Sequence, residues 1–256
     1  MLIDTHCHLD DARYFDDLDE VIARSVECGV DRFIIPGAGP ADLLRAVQIS
    51  EKYENAYFAV GVHPYHAAEF DEKAFELVSH PKCVAVGECG LDYYRLLEDE
   101  NEKISEKKLQ ADVFAAQIEI AKKAKKPLIV HIRDASTDSK KMLLELRAAE
   151  VGGVLHCYNA DHNLLSLADE GFYFGVGGVL TFSNAKKLVE VLPKIPLDRL
   201  LFETDAPYLT PMPHRGKRNE PSYMPLVVKK TSELLGISQE KLAEISNENS
   251  KKLFGV

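Results

Sequence analysis

The sequence predicts a TIM (β/α)8 barrel, a single domain spanning residues 1–256. Two observations carry this. Short apolar, β-branched runs alternate eight times with amphipathic stretches, which means parallel strands joined by right-handed helical crossovers. Side chains able to bind metal stand on, or one step past, the ends of several of those runs. In a parallel barrel all strand C-termini share one face, where active sites of this fold sit. Residues far apart in sequence therefore converge by topology alone. A hydrophobic content of 46% is enough for one large core. A doubly wound open sheet is the competing architecture. It would show a glycine-rich phosphate turn after its first strand, whereas here the first strand runs into histidines.

Taken in order, the first strand covers Leu2–His6 and ends in Asp4-Thr5-His6-Cys7-His8. Residues two apart on a strand point to the same face, so His6 and His8 aim both imidazoles at one point, as a divalent metal requires. A helical pattern at Asp17–Cys28 stops at Gly29. The strand Arg32–Pro36 and the helix Ala41–Tyr53 follow, then the strand Tyr57–Val62, closed by His63-Pro64. The fourth strand, Cys83–Glu88, ends in a Gly-Glu-Cys-Gly turn. Leu97–Lys108 reads as a solvated loop in which Ser105 caps the helix Glu106–Lys125, and Lys126-Pro127 stops that helix. The fifth strand, Leu128–Ile132, carries His131 and is followed by a helix at Asp138–Ala149. The sixth, Gly153–Tyr158, carries His156. The seventh is Tyr173–Val176, and the eighth, Leu200–Thr204, runs into Asp205.

This constellation fits two divalent metal ions. His6, His8 and Asp205 would hold the first, and His131 and His156 the second. Glu88, with two carboxylate oxygens, would serve both. A metal pair roughly 4 Å apart activates water and stabilises the oxygens of an in-line displacement. Glu88 and Asp205 are the catalytic candidates; Asp205 is either a ligand or the general base that takes the water's proton. Glu203 points to the same side as Asp205 and either orients a ligand histidine or forms a buried ion pair. The histidines suit zinc, while the carboxylates also admit magnesium or manganese.

Candidate substrate contacts are His63, Tyr93, Arg133 and Arg215. Arg133 is suited to bidentate phosphate binding or to a salt bridge with Asp134. Arg215 lies in the dense basic stretch His214–Asn219, and Tyr93-Tyr94 could stack a base. Gly175–Gly178 could cradle a phosphate or simply allow close packing.

A net charge of −10 argues against a protein that coats DNA, because phosphate neutralisation supplies most of such affinity. A substrate bound at its end remains compatible. Five cysteines without a C-x-x-C pair, no secretory leader pattern and no long apolar run imply a cytoplasmic protein without a membrane span or an evident obligate protein partner.

Several blocks together resemble the TatD family. They are D-T-H-C-H-L at the N-terminus, G-V-H-P at 61–64, V-G-E-C-G-L-D-Y-Y at 86–94 and P-L-I-V-H-I-R-D-A at 127–135. H-C-Y at 156–158, E-T-D-A-P-Y-L at 203–209 and R-G-K-R-N-E-P at 215–221 complete the set. The resemblance implies a TIM barrel with one to three divalent metals and metal-dependent hydrolysis of DNA from an end; with the ligand set, Arg133 and the basic stretch at 214–218, a 3′-to-5′ exonuclease is the first reading. It also implies metal roles for His6, His8, Glu88, His131, His156 and Asp205. Two segments depart from the family pattern: Cys157–Asp161, where Phe-Ser-Gly is more usual, and Ile132, where a small polar residue is common. Both flank second-metal residues. Hydrolysis of small amides, lactones or aminoacyl esters on the same scaffold is the alternative, since fold does not fix substrate.

Overall fold

A computed structural model describes all 256 residues. Its strands are β1 (Leu2–Asp4), β2 (Val30–Ile35), β3 (Ala56–Val60), β4 (Cys83–Asp92), β5 (Leu128–Arg133), β6 (Gly153–Leu155), β7 (Phe172–Val176) and β8 (Leu200–Phe202). All neighbouring pairs are parallel and follow chain order from β1 to β8. Three backbone bonds close the ring between β8 and β1. Thr5 N–H donates to the Phe202 carbonyl (3.3 Å), Asp205 N–H to that of His6 (2.9 Å) and His8 N–H to that of Ala206 (2.7 Å). The closing seam is thus the stretch that carries His6, His8 and Asp205.

The helices are α1 (Leu18–Glu27), α2 (Pro40–Lys52), α3 (Glu100–Ala124), α4 (Ser136–Glu145), α5 (Lys186–Val191), α6 (Met224–Leu235) and α7 (Gln239–Phe254). Strand residues of one parity, such as Phe33, Phe58, Leu128, Phe174 and Phe202, pack with helix residues such as Val21, Leu43, Phe114 and Val227. The other parity, Ile34, Ala59, Ile129, Val154, Tyr173 and Leu201, forms a separate cluster inside the barrel, joined by Phe254 from the end of α7. The interior below the strand C-termini is therefore filled by side chains, which is what a barrel core requires. No helix is long and apolar enough to cross a membrane.

The structure shifts several boundaries. β1, β6 and β8 stop early, so His6, His156 and Asp205 stand just beyond the ladder, where the chain turns to aim them. Cys157 (φ 44°) and Asp205 (φ 55°) adopt left-handed backbone there, a conformation that collects at functional sites. β4 instead runs on to Asp92, paired with Arg133 of β5. α3 begins at Glu100, six residues before its predicted start at Glu106. Its cap is Asp99, which accepts from the Asn101 (2.9 Å) and Glu102 (3.1 Å) amides. Ser105 is not a cap; it lies inside the helix and donates to the Asn101 carbonyl. The dense charge that read as a solvated loop forms side-chain pairs along the helix instead, Lys103 with Glu100 and Lys108 with Asp112.

Candidate metal centre

Glu88 reaches the centre of the barrel mouth because glycine backbones crowd beneath it. A Cβ on Gly61 would lie 2.2 Å from the Gly87 carbonyl carbon. Gly37 N–H donates to Gly87 (2.9 Å), and Glu88 N–H returns to Gly37 (2.7 Å). The carboxylate they hold is 3% exposed.

Its two oxygens face different partners. Oε2 lies 3.4 Å from His6 Nε2 and 4.0 Å from His8 Nε2. Asp205 Oδ1 completes that group, 3.7 Å from His6 Nε2 and 3.5 Å from His8 Nε2. Oε1 lies 2.8 Å from His131 Nδ1, 3.1 Å from His156 Nε2 and 3.6 Å from His63 Nε2. Donor atoms of His6, His8 and Asp205 fall within 4.8 Å of one another, and so do those of Glu88, His131 and His156.

The electrostatics of this cluster call for cations. Burial alone would raise the Glu88 carboxyl, but His156, His63 and His6 hold it well below its usual range. Asp205 is also held low, against burial, chiefly by His8. His8 rises to about 9 despite burial, because Asp205 bonds it. Burial pulls His63 down to about 3, so it is neutral. Three buried polar atoms, His6 Nδ1, His156 Nδ1 and Glu203 Oε2, have no hydrogen-bond partner within the protein, which is rare for buried groups. Imidazoles and carboxylates in this mix are the donor set of zinc, manganese or magnesium. The residues present therefore fit divalent cations.

Two predicted residues stand behind these donors or beside them. Glu203 Oε1 is 3.5 Å from His156 Nδ1 and accepts the Cys157 amide at 2.6 Å. His63 joins the Glu88 Oε1 side, and its Nδ1 accepts the Tyr65 amide (3.1 Å), which leaves the proton on Nε2. The other substrate candidates lie on the rim. The Tyr93 hydroxyl donates to Asp138 (3.0 Å). The Arg133 guanidinium stacks on Tyr94 at 3.6 Å and makes no salt bridge with Asp134. Arg215 sits over Phe182 at 4.0 Å. Within the same basic stretch Arg218 is tied to Asp17 at 2.6 Å and His214 stacks on Tyr223. Gly175–Gly178 is no anion cradle: a Cβ on Gly175 would strike Glu203 Oε2 at 2.2 Å, and one on Gly178 the Leu209 carbonyl at 2.0 Å.

Sequence reading missed Asp92, Asp4 and two glutamines. Asp92 Oδ2 lies 3.1 Å from His131 Nε2, so Nε2 carries the proton and Nδ1 faces Glu88. Asp92 is itself clamped by Gln110 of α3. The Gln110 Oε1 accepts the Asp92 amide (2.9 Å), and its Nε2 donates to the Asp92 carbonyl (3.0 Å). Gln117, seven residues later on the same helix, clamps Val62 next to His63 in the same way, at 2.8 and 3.0 Å. Asp4 accepts the Thr204 hydroxyl (2.5 Å) and amide (3.0 Å), binding the two sides of the seam. The readable signal for Asp92 was its even spacing from Glu88 on one strand.

The model of the TatD related DNase family matches residues 3–255. The chain belongs to the TatD family. It is 42% identical to the Bacillus subtilis protein described as an uncharacterized metal-dependent hydrolase, YabD, over all of both chains. It is 32% identical to the Citrobacter rodentium 3′-5′ ssDNA/RNA exonuclease TatD, covering all of this chain and 98% of the other. The crystal structure of YjjV, a TatD homologue from Escherichia coli, superposes with a TM-score of 0.90 at 28% identity, covering 100% and 98% of the two chains. This TatD chain is accordingly a metal-dependent hydrolase acting on ester bonds, with several His, Asp and Glu groups placed to bind metal.

Asp92 gives this TatD barrel a specific prediction. Asp92→Asn keeps size but leaves one neutral acceptor oxygen for the two that serve His131 and the Tyr94 amide. One metal-binding step is expected to weaken about 10–100-fold, read by calorimetric titration of metal-free protein with zinc or manganese. Two steps identical to wild type would show that Asp92 does not orient His131.

Proposed function

We propose that this chain is a nuclease that uses two divalent cations, zinc, magnesium or manganese, to hydrolyse phosphodiester bonds at the ends of single-stranded DNA, 3′ to 5′. The observation that carries this is the placement of Glu88, with one oxygen toward His6, His8 and Asp205 and the other toward His131 and His156. The name of the Citrobacter rodentium relative supports the substrate class. Bound at such a pair of donor sets, divalent cations supply Lewis-acid chemistry: they activate water and offset charge on a phosphate oxygen.

The protein's own residues do the rest. Asp205, kept anionic beside His8, takes the proton of the attacking water. His63, neutral and protonated on Nε2, points a hydrogen-bond donor into the Glu88 Oε1 side and can hold a phosphate oxygen there. Asp92 keeps the His131 ring in register, and the Glu203 carboxylate stands 3.5 Å behind His156 Nδ1. Arg133, Tyr93 and Arg215 on the rim contact the rest of the strand. All five cysteines are unpaired, which fits a reducing, cytoplasmic setting.

The test is digestion of an end-labelled single-stranded oligonucleotide by metal-stripped protein, with magnesium, manganese or zinc restored in turn. Stepwise shortening from the 3′ end that depends on the cation is expected. Intact oligonucleotide with every cation, from protein shown to be folded and metal-loaded, would move the reading to small amides, lactones or aminoacyl esters.

A further inference from the structure

Two arginines at the barrel mouth have no acidic partner. Arg95, just past β4, lies 5.5 Å from the Tyr65 ring, and Arg133, the last residue of β5, lies 3.6 Å from the Tyr94 ring. Two other guanidiniums near the mouth are neutralised, Arg13 by Asp11 at 2.8 Å and Arg218 by Asp17 at 2.6 Å. The two unpaired groups share one corner. The Tyr93 amide, two residues before Arg95, donates to the Arg133 carbonyl at 2.8 Å. Two of the acids near that corner are engaged elsewhere. Asp92 faces His131 and accepts the Tyr94 amide (2.8 Å), and Asp138 accepts the Tyr93 hydroxyl.

The corner adjoins the metal centre. Arg133 is two residues beyond His131 on the same face of β5, roughly 7 Å further along the strand. A cleft of about 840 Å³ opens from it, lined by the cations Lys107, Arg133 and Lys187 and by the acids Asp134, Asp161 and Glu190, among others. Tyr65 and Tyr94 remain 39% and 57% exposed, so aromatic surface is left beside both guanidiniums. Paired cations with free aromatic faces are the means by which proteins hold unpaired nucleic acid. Two like charges held together without a counter-charge favour an incoming anion.

We propose that Arg95 and Arg133, seated on Tyr65 and Tyr94, form a second phosphate station that takes the phosphate adjoining the scissile one, with a splayed base against the tyrosines. The station deepens the nuclease reading and rests on it. A substrate needs two internucleotide phosphates to use it, so a trinucleotide engages it and a dinucleotide does not.

The experiment compares kcat/KM for a dinucleotide, a trinucleotide and a ten-nucleotide single strand, in wild type and in the Arg95→Ala/Arg133→Ala double variant. Thermal melting checks that the variant is folded. In parallel, the metal-loaded proteins are titrated with a phosphorothioate single strand at several salt concentrations. The wild-type preference for the trinucleotide over the dinucleotide is expected to fall at least about tenfold in the double variant. The slope of log affinity against log salt should shrink by about 0.7, the value for one lost phosphate contact on a single strand. An unchanged length preference and slope would overturn the station while leaving the nuclease intact. Binding that depends on the two arginines, without hydrolysis of any length, would overturn the nuclease reading and keep the station. Absence of binding by wild type overturns both.

Discussion

Glu88→Gln is expected to lower kcat/KM at least about 1000-fold, since losing Lewis-acid stabilisation forfeits several kcal/mol of the barrier at about 1.4 kcal/mol per tenfold. The reason is geometric. Glu88 offers one carboxylate oxygen to each donor group, Oε2 at 3.4 Å from His6 and Oε1 at 2.8 Å from His131. A glutamine offers one neutral carbonyl oxygen and puts an amide NH2 where the second anionic oxygen stood. Only one group can then keep its shared donor. The bound metal, measured by elemental analysis after dialysis, should fall from two equivalents per chain to one or fewer. Full turnover in this variant would refute the two-group reading. Full loss of activity with two equivalents retained would give Glu88 a role in proton transfer rather than in metal sharing.

His6→Ala and Asp205→Asn should each reduce turnover by a similar factor, with little loss of stability. The two side chains face one another across the seam between β1 and β8, with Asp205 Oδ1 3.7 Å from His6 Nε2. The bond that closes the seam at this level is the Asp205 amide to the His6 carbonyl, 2.9 Å. Neither substitution removes it. The Asp4–Thr204 pair also persists. Asparagine is chosen at position 205 because the backbone there has φ 55°, a conformation asparagine tolerates and alanine does not adopt freely. The metal-free melting temperature should fall by no more than about 8 °C, the shift expected for roughly 2 kcal/mol in a chain of this size. Near wild-type turnover in either variant would remove that residue from the site. A collapse of melting temperature would show that the side chains, not the backbone bonds, close the barrel.

These expectations rest on six residues whose convergence was legible before any coordinates. Eight apolar runs were enough to imply parallel strands. Parity along a strand then paired His6 with His8, and the shared polarity of strand ends brought Glu88, His131, His156 and Asp205 to the same face. Family motifs pointed to the same residues. The capping of α3 was misread for a local reason. Its first two turns are charged on nearly every side, so no apolar periodicity marks them, and the signal was the single carboxylate of Asp99.

The sequence by itself thus determined the barrel and the convergence of the candidate donor residues on one face, because hydrophobic period and strand parity are local properties. Tertiary structure decided what lies across the barrel. Which oxygen of Glu88 meets which histidine, and which nitrogen of His131 faces inward, depend on Asp92 and on Gln110 reaching over from α3. That the Gly175–Gly178 stretch makes room for Glu203 and not for an anion depends on side chains 25 or more residues away in sequence. Arg218 and Arg215 look alike in the chain, yet Asp17 captures one and leaves the other over Phe182. Partner choice of this kind is fixed by distance and burial after folding, and no local pattern encodes it.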